Sequence, residues 1–101
     1  MTLDPSPTAV LAGNDEIACS MWRSFRRVGI GVPDAMSLVG FDDREEAQLI
    51  DPPLTTVRVD KEGIGGELMK MLLEKLHRPD AHFSRRLLPT ELVVRGTVRS
   101  L

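Results

Sequence analysis

The sequence predicts an α/β fold organised around a parallel β-α-β unit. Three observations carry that prediction. Thr8-Ala9-Val10-Leu11-Ala12 and Ser37-Leu38-Val39-Gly40-Phe41 are short apolar runs, and the residues between them place apolar side chains at the helical period. Two buried strands separated by one amphipathic helix are joined by a right-handed crossover, which makes them parallel.

Residues 1–6, with Asp4, Pro5 and Ser6, read as a disordered or irregular lead-in. After the first run comes Gly13-Asn14-Asp15-Glu16, a tight loop and a helix start. Asn14 suits the N-cap, and Asp15 and Glu16 bring negative charge to the first turn, where the helix dipole favours it. From Asp15 to Val28 one face carries Ile17, Ala18, Met21, Trp22, Phe25 and Val28. The other carries Glu16, Ser20, Arg23, Ser24, Arg26 and Arg27, and Gly29 supplies the C-terminal stop. Gly31-Val32-Pro33-Asp34 is a turn before the second run, which ends in Asp42-Asp43. Arg44 to Ile50 suits a short helix stopped by Asp51-Pro52-Pro53, and Leu54 to Val59 is β-branched and extended.

Asp60 then caps a second long helix. Ile64, Leu68, Met71, Leu72 and Leu76 are its expected buried stripe, and Lys61, Glu67, Lys70, Glu74 and Lys75 its wet face. Gly63, Gly65 and Gly66 each weaken helix propensity by about 1 kcal/mol relative to Ala, and a close packing contact would account for them. Pro79 ends the helix and residues 81–86 form a polar loop. Leu87 to Arg95 is a last strand, with Pro89 pointing to an edge or an irregular pairing.

Composition narrows the function classes. Of 101 residues only four are aromatic, so the core is expected to be aliphatic. Thirteen basic against fifteen acidic residues leave a net charge of −2, which argues against direct nucleic-acid binding. One cysteine, Cys19, excludes an internal disulfide framework and a multi-cysteine zinc site, and as a small apolar residue on a helix it reads as inert. No apolar run is long enough to span a bilayer, and the first residues lack the pattern of a secretory signal. The expected compartment is the cytoplasm.

In open α/β sheets ligands bind beyond the carboxyl ends of the strands. Gly13-Asn14-Asp15 and Asp42-Asp43 both fall there, and parallel neighbours would bring them together. An amide offers donors and an acceptor while an ionised carboxylate only accepts, so Asn14 and Asp42 together suit a vicinal diol. Taken singly, Asn14 reads as a helix cap and the two aspartates as turn residues. Paired acids also raise a divalent-metal enzyme, although that chemistry wants a third acid and a lysine at another strand end, and Lys61 begins a helix instead. His77 and His82 flank Pro79 in polar surroundings, and no spacing suggests metal ligands or a catalytic triad. Trp22 reads as core rather than a stacking platform, and Arg23, Arg26 and Arg27 as a solvated face.

Taken in order, these segments resemble the C-terminal part of the lactose-repressor/galactose-repressor (LacI/GalR) family of bacterial transcription regulators. The resemblance rests on Pro7-Thr8-Ala9-Val10 through Asn14-Asp15-Glu16-Ile17-Ala18; Val28-Gly29-Ile30-Gly31-Val32-Pro33-Asp34; Ser37 to Asp43; Pro52-Pro53-Leu54-Thr55-Thr56-Val57; and Leu87 to Thr97. It implies part of a two-lobed, periplasmic-binding-protein-like (Rossmann-like) core. Residues 7–57 would belong to the C-terminal lobe, 58–82 to a crossover helix packing on the other lobe, and 87–98 to a returning strand. Asn14 and Asp42 match positions that typically touch effector hydroxyls, while Val59 stands where many members have Gln. The helix-turn-helix DNA-binding domain, the hinge helix, most of the N-terminal lobe and the first half of the C-terminal lobe would lie outside this sequence.

The expected function is therefore sensing of a small polar effector, most simply a sugar, with no catalysis and no cofactor. DNA would be reached only through the helix-turn-helix domain. A piece of a solute-binding protein with the same fold is the alternative. The outer edge of the first strand lacks a neighbour in this sequence, so self-association or a homodimer is expected.

Overall fold

The computed structural model describes residues 4–101. The first three residues of the lead-in lie outside that range, and residues 4–6 have no helix or strand. The chain forms β1 (Ala9–Leu11), α1 (Asp15–Arg27), β2 (Ser37–Val39), α2 (Glu45–Leu49), β3 (Thr56–Val59), α3 (Lys61–His77) and β4 (Thr90–Val93). It divides into two compact units: Met1–Arg58 with Glu91–Leu101, and Val59–Thr90.

In the first unit β1 and β2 pair in parallel, with Ala9 opposite Ser37, Val10 opposite Leu38 and Leu11 opposite Val39. The stretch leading into β3 continues the arrangement on the other side of β2. Val39 bridges Thr55 and Asp42 bridges Arg58, both in parallel sense, and the Gly40 and Asp42 amides donate to the Thr55 and Val57 carbonyls at 2.9 Å. The helix between the strands begins and ends as its sequence requires. The Ile17 amide donates to Asn14 Oδ1 at 2.9 Å, and Gly29, just past Val28, takes a φ of +76° that suits glycine best.

The core is small and aliphatic. Ala12, Ala18, Cys19, Leu38, Ala47, Ile50 and Leu54 are buried, with Val10, Met21, Trp22, Phe25 and Val32 packed partly against them. Trp22 is thus partly core, and Arg26 lies over its ring at 4.9 Å. Cys19 is buried, its Sγ donating weakly to the Glu46 carbonyl at 3.9 Å, and burial, with Asp15 nearby, raises the thiol pKa.

Thr97 closes this unit from far along the chain. Its buried hydroxyl donates to the Leu38 carbonyl at 2.6 Å and accepts from the Thr55 amide at 2.8 Å, while its own carbonyl accepts from the Leu38 amide at 2.8 Å. One side chain therefore satisfies backbone groups of two neighbouring strands that would otherwise be orphaned.

The second unit is α3 and an extended return. Asp60 caps α3, its Oδ1 accepting from the Gly63 amide at 2.9 Å, and Gly63 is needed because a Cβ there would strike the capping carboxyl. The return is tied to the helix by Arg86, which reaches Glu67 and Glu74. Two expectations fail here. No residue of α3 is buried: Leu68 is 59% exposed, Leu72 53% and Leu76 66%. A lone helix with an extended strap offers no second apolar layer, so the periodic stripe has nothing to sink into within this unit. Nor does a close contact explain Gly65 and Gly66, where an added Cβ would meet nothing within 4 Å. The last strand is also shorter than its apolar pattern, because Pro89, which has no N–H to give a ladder, immediately precedes it.

Candidate functional site

The carboxyl ends of β1 and β2 form one rim. The Ala12 amide donates to the Val39 carbonyl and the Asp15 amide to the Phe41 carbonyl, both at 2.9 Å. The second bond places the residue after Asn14 against the residue before Asp42, so the two sequence-predicted residues flank a shared backbone hydrogen bond at this rim. Both are partly exposed. Asn14 is indeed a helix cap, but that role uses only Oδ1; its Nδ2 has no hydrogen-bond partner among the described residues. The Asp42 carboxylate accepts no hydrogen bond and makes no ion pair among the described residues, and Arg44 acts on it only through longer-range attraction.

Beneath the rim sits an acid that the sequence places in the helix's first turn and in the polar cluster at the strand end, without showing that it is buried. Asp15 is fully buried, with Oδ2 accepting from the Arg44 amide at 2.7 Å and Oδ1 from the Thr56 hydroxyl at 2.5 Å. It ties the start of α1 to the Asp42-Asp43-Arg44 turn and to β3. A carboxylate at the first helical position is common on surfaces. Gly40 leaves the space it occupies, since a Cβ there would run into Oδ1, and Thr56 supplies a donor, both from positions that share no local pattern with it.

Asp42 and Asp43 have φ of 109° and 55°, a left-handed region that non-glycine residues seldom adopt. Such geometry costs on the order of 1–3 kcal/mol per residue and persists only where the surroundings hold it. Asp43 is held firmly. Arg58 Nε donates to its Oδ2 at 2.7 Å and an Arg95 terminal nitrogen to its Oδ1 at 2.6 Å, and its side chain is 6% exposed. Both oxygens are thus engaged by guanidinium groups, and no cluster of three potential metal ligands occurs among the described residues. His77 closes α3, its Nδ1–H donating to the Leu73 carbonyl at 2.8 Å, and both histidines are exposed in the second unit.

Burial works to raise the Asp43 carboxyl pKa, but hydrogen bonds from Arg58 and Arg95 and their charges outweigh it, so the group titrates below the ordinary carboxylate range. The stabilisation linked to that lowered value is complete above about pH 4 and is lost as pH falls through the folded-state pKa. Urea unfolding followed from pH 5 to pH 2 is expected to show a steeper loss of stability for the wild type than for Asp43→Asn. Equal slopes would contradict the ion-paired assignment.

The chain matches the family described as periplasmic binding protein-like domain over residues 1–98. It is 36% identical over 101 residues to the HTH-type transcriptional repressor CytR of Escherichia coli (strain K12), covering all of this chain and 30% of that protein. It is 33% identical over 100 residues to the lactose operon repressor of Rhizobium radiobacter, covering 98% of this chain and 87% of that sequence. Among solved structures it resembles the transcriptional regulator CelR–cellobiose complex, with TM-score 0.83 and 31% identity over 89% of this chain and 28% of that one. It also resembles the lac repressor dimer bound to operator and the anti-inducer ONPF, with TM-score 0.82 and 36% identity over 93% of this chain and 32% of that one. The chain spans about a third of the length of CytR and of these two structures. No helix among the described residues is long and apolar enough to cross a membrane.

Proposed function

The chain belongs to the periplasmic binding protein-like domain family, among regulators of the LacI/GalR type, and from that premise we propose that it is the C-terminal part of an effector-sensing core. A small polar metabolite, a sugar or a close relative, binds at the carboxyl ends of β1 and β2. The Asp42 carboxylate accepts two hydroxyl hydrogens, and Asn14 Nδ2 donates to a hydroxyl or ring oxygen while its Oδ1 stays on the helix cap. The observation that supports this reading is the Asp15–Phe41 backbone hydrogen bond, which sets the residue after Asn14 beside the residue before Asp42 at the carboxyl ends of the paired strands. The cellobiose held by the similar CelR regulator supports a sugar.

The chain senses and does not catalyse. Its buried acids, Asp15 and Asp43, are each engaged at both oxygens by the chain's own groups. In the whole protein residues 7–57 belong to the C-terminal lobe, residues 58–82 carry the crossover helix that packs on the other lobe, and residues 87–98 form the returning strand. Effector binding there biases one arrangement of the lobes, with a coupling to operator affinity of typically ~1–3 kcal/mol. DNA is reached through a helix-turn-helix domain outside this sequence, the setting is the cytoplasm, and the partner is a second copy, as in the lac repressor dimer.

Titrating the ¹⁵N-labelled chain with ribose and with cellobiose tests the assignment. One of the two sugars is expected to move the amide resonances of residues 13–15 and 41–44 while leaving Gly65 and Gly66 unmoved. Silence of both rim segments with both sugars would overturn the sugar, and equal movement in Asp42→Ala would overturn the site.

A further inference from the structure

The ligand contact proposed at Asp42 leaves its neighbour Asp43 without a task, yet Asp43 is the more tightly held of the two. Its carboxylate bridges two arginines that belong to different parts of the chain. Arg58 lies on β3 and is the last residue of the first unit before the chain leaves it. Arg95 lies two residues past β4, by which the chain has come back. Neither arginine is a loose surface cation. Another Arg95 terminal nitrogen donates to the Leu54 carbonyl at 3.0 Å, and the Arg95 amide donates to Thr55 Oγ1 at 2.9 Å. Arg58 also pairs with Glu91 at 3.5 Å, so the departing and returning segments are joined beside the same carboxylate.

The backbone explains why this matters at the neighbouring residue. Consecutive left-handed residues do not hold themselves in place, and besides the Arg44 amide on Asp15 the turn has two anchors toward β3 and the returning segment. One is the Asp42 amide on the Val57 carbonyl, and the other is the Asp43 carboxylate on Arg58 and Arg95. The first reaches β3 only. The second is the connection, among the bonds formed by the described residues of this turn, that reaches the β4 side.

We propose that Asp43 is a positioning residue: by pinning the left-handed Asp42-Asp43 turn to Arg58 and Arg95, it aims the Asp42 carboxylate and links its state to both segments by which the chain leaves and rejoins the first unit. The role assigned to the aimed carboxylate rests on the reading of Asp42 as a ligand contact; the mechanical linkage does not. A clamp that served stability alone would lower the unfolding midpoint when cut and transmit nothing.

The test perturbs Asp42 without a ligand and listens at Arg95. In the ¹⁵N-labelled chain, Asp42→Asn changes the charge at the rim while keeping its size. It is expected to shift the Arg95 Nε–H resonance and the amides of residues 94–96. In an Asp43→Asn background the same change is expected to move those resonances at least threefold less, while amides of β3 still respond through the Asp42–Val57 bond. Should Asp43→Asn fail to fold, Arg95→Lys cuts the Oδ1 link while retaining charge and the Arg58 pair, and it is expected to quiet the response of residues 94–96 to the same extent. A response there of undiminished size in either background would overturn the proposal, as would no response in the wild type. Because no sugar enters this experiment, a chain that bound neither ribose nor cellobiose would overturn the sugar and leave this result readable.

Discussion

Replacing Asp42 by Ala in a regulator carrying this segment is expected to raise the effector concentration for half-maximal operator release by about 100-fold or more. A hydrogen bond to a charged group contributes roughly 1.5–3 kcal/mol. Two hydroxyls on one carboxylate are therefore worth about 3–6 kcal/mol, and each 1.4 kcal/mol is about a factor of ten in affinity. Operator affinity without effector is expected to change less than about twofold, because the carboxylate holds no internal hydrogen bond whose loss would disturb the fold. The confounding effect is the backbone, since Ala tolerates the φ of 109° at this position less well than Asp. Asp42→Gly separates the two contributions: it removes the same side chain while relieving the conformation, so it should lose the response equally and be the more stable variant. Operator-bound fluorescence anisotropy against effector concentration measures the first quantity and thermal unfolding the second. An unshifted release curve in both variants would remove Asp42 from the site.

Gly40→Ala is expected to be the most damaging single-methyl change in the first unit. A Cβ at Gly40 would run into Asp15 Oδ1 and come within 2.9 Å of the buried Leu54 Cδ2. Neither neighbour can move cheaply, because Asp15 is anchored to Thr56 and to the Arg44 amide, and Leu54 is fully buried. Overpacking of this kind costs about 3 kcal/mol, or roughly 15 °C in melting temperature for a domain of this size. The control is Gly65→Ala, where the added methyl meets nothing within 4 Å in a helix interior. That change should instead stabilise α3 by about 1 kcal/mol. A Gly40→Ala variant that melts with the wild type would show that Asp15 is not locked as described.

The elements that could be read from the sequence are those whose signals are local. Asn14 before a periodic run and Gly29 after it define α1 without knowledge of the rest of the fold, and Asp60 with Gly63 defines the start of α3. The parallel pairing of β1 and β2 follows from the single helix between them. What sequence could not convey was non-local satisfaction of buried polar groups. Asp15 looks like any acid in a first helical turn until Thr56 and the Arg44 amide, forty-one and twenty-nine positions away, close on it. Asp43 looks like half of an acid pair until Arg58 and Arg95 claim its oxygens. The one available hint was Arg95, a lone charge at the end of the apolar run Leu92-Val93-Val94. The stripe on α3 misled for the complementary reason: periodicity announces that a face is apolar but not that its own unit supplies a cover.

The hydroxyl of Thr97 also bears on the order of events in folding. It bonds to a carbonyl fifty-nine positions earlier, across the whole excursion of residues 59–90. Closing so wide a loop is entropically late, because its ordering cost comes before its contacts can offset it. The β-α-β unit can assemble early from near neighbours, but its second strand keeps unsatisfied backbone groups until the returning segment arrives. The nascent rim therefore passes through a stage in which β2 is exposed to any other extended segment that reaches it first.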